Sequence, residues 1–289
     1  AFLGKLMRSK PMPVVMVSSL TEKGCDTTLR ALELGAVDFV TKPSIDVSDG
    51  MSEISTEIVD KVRIASKAVV KRLTTSPDDT ASKSQVMSDA LITSTHKVIA
   101  IGASTGGTQA LMQVLPHLPP NTPGIVLVIH MPAGFTGRFA KRLNESCALE
   151  VKEASAGDVV IPGQVLIAPG NFHTRVKRSG ARYTVKIDND APVNQFKPSV
   201  DVLFESVAQY VGSNALGVIL TGMGNDGAKG MLTMKKAGAT TIAQDEKSCI
   251  VFGMPKEAIK QGGVDQILPL DQIAQGIIKE AREMTAVPS

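Results

Sequence analysis

Three residues of the types that acyl transfer requires stand at corresponding places in this chain: Ser104, His130 and Asp226. Each lies just beyond a short apolar run of the kind that forms a buried strand: VIAI at 98–101, IVLVI at 125–129 and LGVIL at 216–220. Parallel strands bring such carboxyl ends to one edge of a sheet, where α/β proteins bind their ligands. Serine at its ordinary pKa is a poor nucleophile, so an imidazole must take its proton. A carboxylate then fixes the imidazole tautomer and stabilises the imidazolium. The glycines of TGMGNDG, 221–227, let the Asp226 loop come close to a substrate.

Rival readings stand beside each residue. Ser104 or Thr105 can serve as the N-cap of the helix that follows. Asp226-Gly227 is a common turn pair. His173, in PGNFH, is a competing base on a loop, whereas His96 lies in linker-like sequence and His117 among prolines. His130 is preferred because a rigid strand fixes its position.

The stretch 97–112, KVIAIGASTGGTQALM, positions the serine. Its order is strand, small-residue turn, helix. That leaves the hydroxyl near unpaired N–H groups and the positive end of a helix dipole, where negative charge develops favourably. GASTG also matches G-x-S-x-G, but the order Ser, His, Asp differs from the Ser, acid, His order of α/β-hydrolases. A dinucleotide site is disfavoured, since Ser104 stands where the second glycine of G-x-G-x-x-G belongs. No Gly-Lys-Ser/Thr is present for a P-loop.

Around these residues, strands and helices alternate from Lys97 onward. Helical spacing recurs at Phe135, Phe139 and Leu143, and Ser199 caps a helix carrying Val200, Leu203, Phe204 and Val207. Val165–Ile167 and Tyr183–Val185 are expected to pair as a hairpin through Arg178-Ser179-Gly180. The fold class is α/β, a doubly wound and mostly parallel sheet with a small hairpin. Residues 14–62 read as a separate βαβα piece, with Ser18 and Lys42 at its two strand ends. The boundaries are 1–60 for that piece, 61–96 for a linker rich in Ser, Thr, Asp and Ala, and 97–289 for the larger domain.

Composition excludes several functions. The 289 residues carry 31 basic against 28 acidic side chains, a net charge of +3 that is too weak to argue for nucleic acid. Hydrophobic residues at 43% allow a sizeable core. Cys25, Cys147 and Cys249 are widely spaced and odd in number, which suits reduced thiols in the cytoplasm better than a disulfide frame or a zinc site. No apolar run reaches membrane-spanning length.

IGASTGG, the strand ending in His130-Met131-Pro132, APGNFH, KPSVDVLFESV, LTGMGNDGAKGM and CIVFGMPKEAI together resemble the catalytic domain of the chemotaxis protein-glutamate methylesterases. Residues 14–43 resemble the second half of the flavodoxin-like receiver domain that these enzymes carry in front. The resemblance implies that Ser104 is the nucleophile, His130 the base and Asp226 the orienting acid. It makes the backbone N–H groups of Met223 and Thr105 candidates for the oxyanion, and Ser18 and Lys42 the residues that sense a receiver phosphoryl group. The receiver's acidic pair and phospho-accepting aspartate are not in this sequence, and Asp26 and Asp38 sit in the wrong contexts to replace them. The family further implies hydrolysis of glutamyl methyl esters and deamidation of glutamines on cytoplasmic helices of methyl-accepting chemotaxis receptors, with no cofactor or metal. A phosphodonor histidine kinase is the implied partner of the full-length parent. A non-catalytic module that binds receptors or a nucleotide is the alternative.

Overall fold

The computed structural model describes residues 2–19, 21–42, 50–68, 70 and 96–283. The chain divides into two compact units, Ala1–Asp89 and Ala90–Ser289.

The first unit runs α1 (Phe2–Ser9), β1 (Val15–Ser18), α2 (Glu22–Glu33), β2 (Asp38–Thr41) and α3 (Gly50–Ala65). β1 and β2 pair in parallel, from Val15 opposite Asp38 to Ser18 opposite Thr41. α2 starts where the Thr21 hydroxyl accepts from the Gly24 N–H at 3.2 Å. α3 continues to Ala65, so residues 61–65, assigned to the linker by composition, are helical. Ile58, Val62 and Ala65 keep the helical spacing there. Residues 71–95, the body of the expected linker, lie outside the described residues.

The second unit is built on a seven-stranded parallel sheet. Its strands are β3 (Val98–Ala103), β4 (Gly124–Ile129), β5 (Glu150–Glu153), β6 (Gln164–Ile167), β9 (Ala215–Ile219), β10 (Thr240–Gln244) and β11 (Gln266–Leu268), in the order β11-β10-β9-β3-β4-β6-β5. The chain leaves β3 toward β4 and later returns to β9 on the other side of β3. Strand order therefore reverses at β3, and the crevice at its carboxyl end is the topological switch point. Alternation divides the strand side chains between two faces. Val98, Ala100, Val126 and Val128 pack with Leu203, Phe204 and Val207 of α6 (Val200–Tyr210) and with Met231 and Met234 of α7 (Ala228–Lys236). On the other side of the sheet, α4 (Gly107–Val114) packs against α9 (Leu270–Glu283). Two further helices, α5 (Thr136–Asn144) and α8 (Met254–Lys260), complete the unit.

The hairpin differs from expectation. β6 lies inside the parallel sheet between β4 and β5. The antiparallel pair is instead β7 (His173–Ser179) with β8 (Arg182–Asp188). In HTRVKRS charged residues mask the alternation, and Val176 is its one buried aliphatic residue. The apolar VLI of β6 is needed on both faces of the central sheet, which is where parallel strands belong.

Candidate active site

Ser104 follows β3 directly, at the centre of the sheet. Its N–H donates to Thr221 O at 3.0 Å, and its carbonyl accepts from the Gly107 N–H at 2.7 Å. The N-cap of α4 is Gly106, in the left-handed region at φ 79°, with no side-chain cap. The N-cap position is thus taken by a glycine and not by Ser104 or Thr105. The loop after β9 presses against the serine: a Cβ added at Gly222 would come within 2.8 Å of Ser104 Cβ. Only glycine permits that approach.

His130 follows β4, the neighbour of β3. Ala103 pairs with Ile129, and the His130 N–H donates to Ala103 O at 3.1 Å. Ser104 and His130 thus leave adjacent strands side by side, about 4.8 Å being the strand spacing. Asp226 is fully buried in the loop between β9 and α7. The His130 Nε2–H donates to Asp226 Oδ2 at 2.8 Å. His130 Nδ1 is buried without a hydrogen-bond partner. With Nε2–H committed to the carboxylate, Nδ1 carries the lone pair that can accept a proton. The ring lies flat against Phe196, centroids 3.7 Å apart and planes 7° from parallel.

Asp226 sits at the N-terminus of α6. The Ser199 hydroxyl donates to its Oδ1 at 2.7 Å, the Val200 N–H to Oδ2 at 2.6 Å, and the Asn194 side-chain amide to Oδ1 at 2.8 Å. Burial alone would raise this carboxyl. The hydrogen bond and charge of His130, with the bonds from Asn194 and Ser199, outweigh burial and hold it below the usual carboxylate range. Asp226 is thus a fixed anion, suited to orienting an imidazole and not to taking its proton.

The other candidates are placed as follows. His173 is fully buried; its Nδ1 accepts from the Ser199 N–H at 3.2 Å and its Nε2–H donates to Ala191 O at 2.9 Å. Both nitrogens are engaged, so it braces the start of α6 and is not placed to act as a base. His117 bonds Gln113 O, and His96 is exposed. Met223 is 41% exposed, one residue past Gly222, while the Thr105 carbonyl accepts from the Thr221 hydroxyl at 3.0 Å. In the first unit, the Ser18 hydroxyl donates to Gly24 O at 3.1 Å, and the Lys42 N–H donates to Ser18 O at 2.7 Å.

The CheB methylesterase family matches residues 99–277. The chain belongs to that family. A protein-glutamate methylesterase/protein-glutamine glutaminase of Pectobacterium atrosepticum is 55% identical over 279 residues, covering 96% of this chain and 79% of its own. One from Geobacter metallireducens is 56% identical over 277 residues, covering 94% and 76%. The crystal structure of the Thermotoga maritima CheB methylesterase catalytic domain superposes with a TM-score of 0.63 at 43% identity, covering 64% of this chain and 98% of that one. Within this CheB methylesterase fold, the sequence reading missed Asn194, Phe196 and Asp201. Asn194 and Phe196 lie in the irregular NQFKPS segment, 194–199, which has no periodic signal, and Asp201 lies just after it; only Ser199, as a helix cap, was legible there.

Proposed function

We propose that this chain hydrolyses glutamyl methyl esters and deamidates glutamines on chemotaxis receptors, with Ser104, His130 and Asp226 as its triad. The observation that carries the reading is the His130–Asp226 bond of 2.8 Å, with the buried Nδ1 left without a partner just past the end of β4, the strand that pairs with β3 before Ser104. Ser104 Oγ attacks the side-chain carbonyl carbon while its proton passes to His130 Nδ1. The negative charge that appears on the carbonyl oxygen is met by the backbone N–H groups of Thr105, next to Ser104 in its own turn, and of Met223, on the loop after β9. The intermediate collapses, the imidazolium protonates the methoxide, and methanol leaves a γ-glutamyl ester on Ser104. Water, deprotonated by Nδ1, attacks that ester and releases glutamate and the serine hydroxyl. With glutamine the leaving group is ammonia, and every other step is the same.

The substrate helices are those of methyl-accepting receptors, and the enzyme works in the cytoplasm. No helix among the described residues is long and apolar enough to cross a membrane. Ser18 and Lys42 are assigned to phosphoryl sensing in the receiver-like unit. Methanol release from methylated receptor membranes tests the reading. Release by the wild type and none by Ser104→Ala is the expected result; equal release by both would overturn it.

A further inference from the structure

Asp226 is not the only buried carboxylate at the start of α6. Asp201, 5% exposed, lies beside it. One Asp201 oxygen, Oδ1, accepts from the Gly230 N–H at 2.6 Å, and the Asp201 N–H points at Asp226 Oδ1 from 3.3 Å. A single nitrogen joins the two acids. Asn194 Nδ2 donates to Asp201 Oδ2 at 2.7 Å and to Asp226 Oδ1 at 2.8 Å. An amide NH₂ has two protons, so both are used.

We propose that Asn194 is a positioning residue of the triad, which bridges Asp201 and Asp226 so that the second carboxylate stays turned toward His130. The inference rests on the triad reading above. Two buried carboxylates within reach of one donor repel, and without that donor they share a proton or turn apart. The environments already separate them. Burial foremost, and the charge of Asp226, raise Asp201, while donors hold Asp226 low. The chain trace adds a second reason for Asn194, because its φ of 52° lies in the left-handed region. Asparagine tolerates that region better than most residues. A role in the turn alone and a role in the bridge therefore have to be separated, and glycine does so. It keeps the backbone and removes the amide.

Asn194→Gly is expected to lower kcat about tenfold with KM nearly unchanged. The low-field proton signal of His130 Nε2–H should be lost to exchange. Asp201→Asn alone should also lower kcat, since it leaves one acceptor oxygen for two donors, Asn194 Nδ2 and Gly230 N–H, and turns an NH₂ against whichever donor is left over. In the Asn194→Gly background the same change should restore activity and the proton signal, because it removes the unbridged like charge. An Asn194→Gly enzyme with wild-type kcat and an unmoved proton signal would overturn the proposal. So would Asp201→Asn deepening the Asn194→Gly loss. Because the proton signal is read without turnover, it judges the bridge even where Ser104→Ala activity speaks against the triad.

Discussion

The imidazole of His130 stacks on the Phe196 ring, 3.7 Å between centroids and with the planes 7° from parallel. This contact fixes the ring plane that the Asp226 bond alone leaves free to tilt, and it shields one face from water. Such aromatic pairs contribute ~0.5–1.5 kcal/mol beyond burial. Phe196→Ala is therefore expected to lower kcat by roughly two- to tenfold. Phe196→Tyr, which keeps the ring, should stay near wild type. Steady-state methanol release checks both.

The triad variants should not behave alike. Ser104→Ala and His130→Ala should each lose turnover by orders of magnitude with little change in melting temperature. Asp226→Asn is a different case. The two oxygens of Asp226 accept from His130, Asn194, Ser199 and Val200, so an amide NH₂ faces donors wherever it turns. Loss of both turnover and melting temperature is expected. An orienting role alone predicts a milder loss of turnover than at Ser104 or His130, and the crowding of donors is expected to add a loss of stability that those two variants lack. Thermal melts run beside kinetics decide it.

Asp226 also sets the sign of the pH response. Its carboxyl sits below the usual range, against the pull of burial, through its bonds and the charge of His130. It therefore stays ionised at neutral pH, and kcat/KM should rise with pH as the general base loses one proton. A depressed carboxylate contributes stability above its unfolded pKa of about 3.9, and that stability is lost as pH falls through the lower folded value. Denaturation midpoints between neutral pH and pH 3 should show this loss, and Asp226→Asn should lack its share.

His173 belongs to stability. Replacing it by alanine orphans the buried Ser199 N–H, at about 1–3 kcal/mol for such a group. His173→Ala should lower the melting temperature clearly. It should leave the shape of the pH–rate profile unchanged, whereas loss of the rising limb would make His173 the base.

How much of this was legible follows from what each feature depends on. The strands beneath Ser104, His130 and Asp226 are continuous apolar runs with turn residues after them. Any such run in a βα alternation is placed in a parallel sheet, so those three sites could be read. β7 could not, because HTRVKRS buries its backbone against α6 and not a stripe of apolar side chains; the Val176 N–H bonds the Ser206 hydroxyl. Asn194, Phe196 and Asp201 act through contacts some 30 to 70 positions away, and no local period encodes such contacts. The parallel register explains Ser104 and His130 only because β3 and β4 are neighbours, which the order of elements suggests and the pairing of Ala103 with Ile129 fixes.

The approach of Gly222 to Ser104 gives the sharpest test of the loop geometry. A Cβ at Gly222 would lie 2.3 Å from Met254 Sδ and 2.8 Å from Ser104 Cβ. Methionine is flexible and can yield, but Ser104 Cβ is held by a backbone bonded on both sides, to Thr221 O and to the Gly107 N–H. Gly222→Ala must therefore push the β9 loop away from Ser104, and the Met223 backbone moves with it. Turnover should fall by about 10²-fold or more, as when an oxyanion donor is removed. Gly224 is the control. It has φ 84° and nothing within 4 Å of an added Cβ, so Gly224→Ala meets only backbone strain of ~1–3 kcal/mol. The expected contrast is a less active but stable Gly222→Ala enzyme and a less stable but active Gly224→Ala enzyme. Gly222→Ala with wild-type turnover would show that the loop position does not matter to the chemistry.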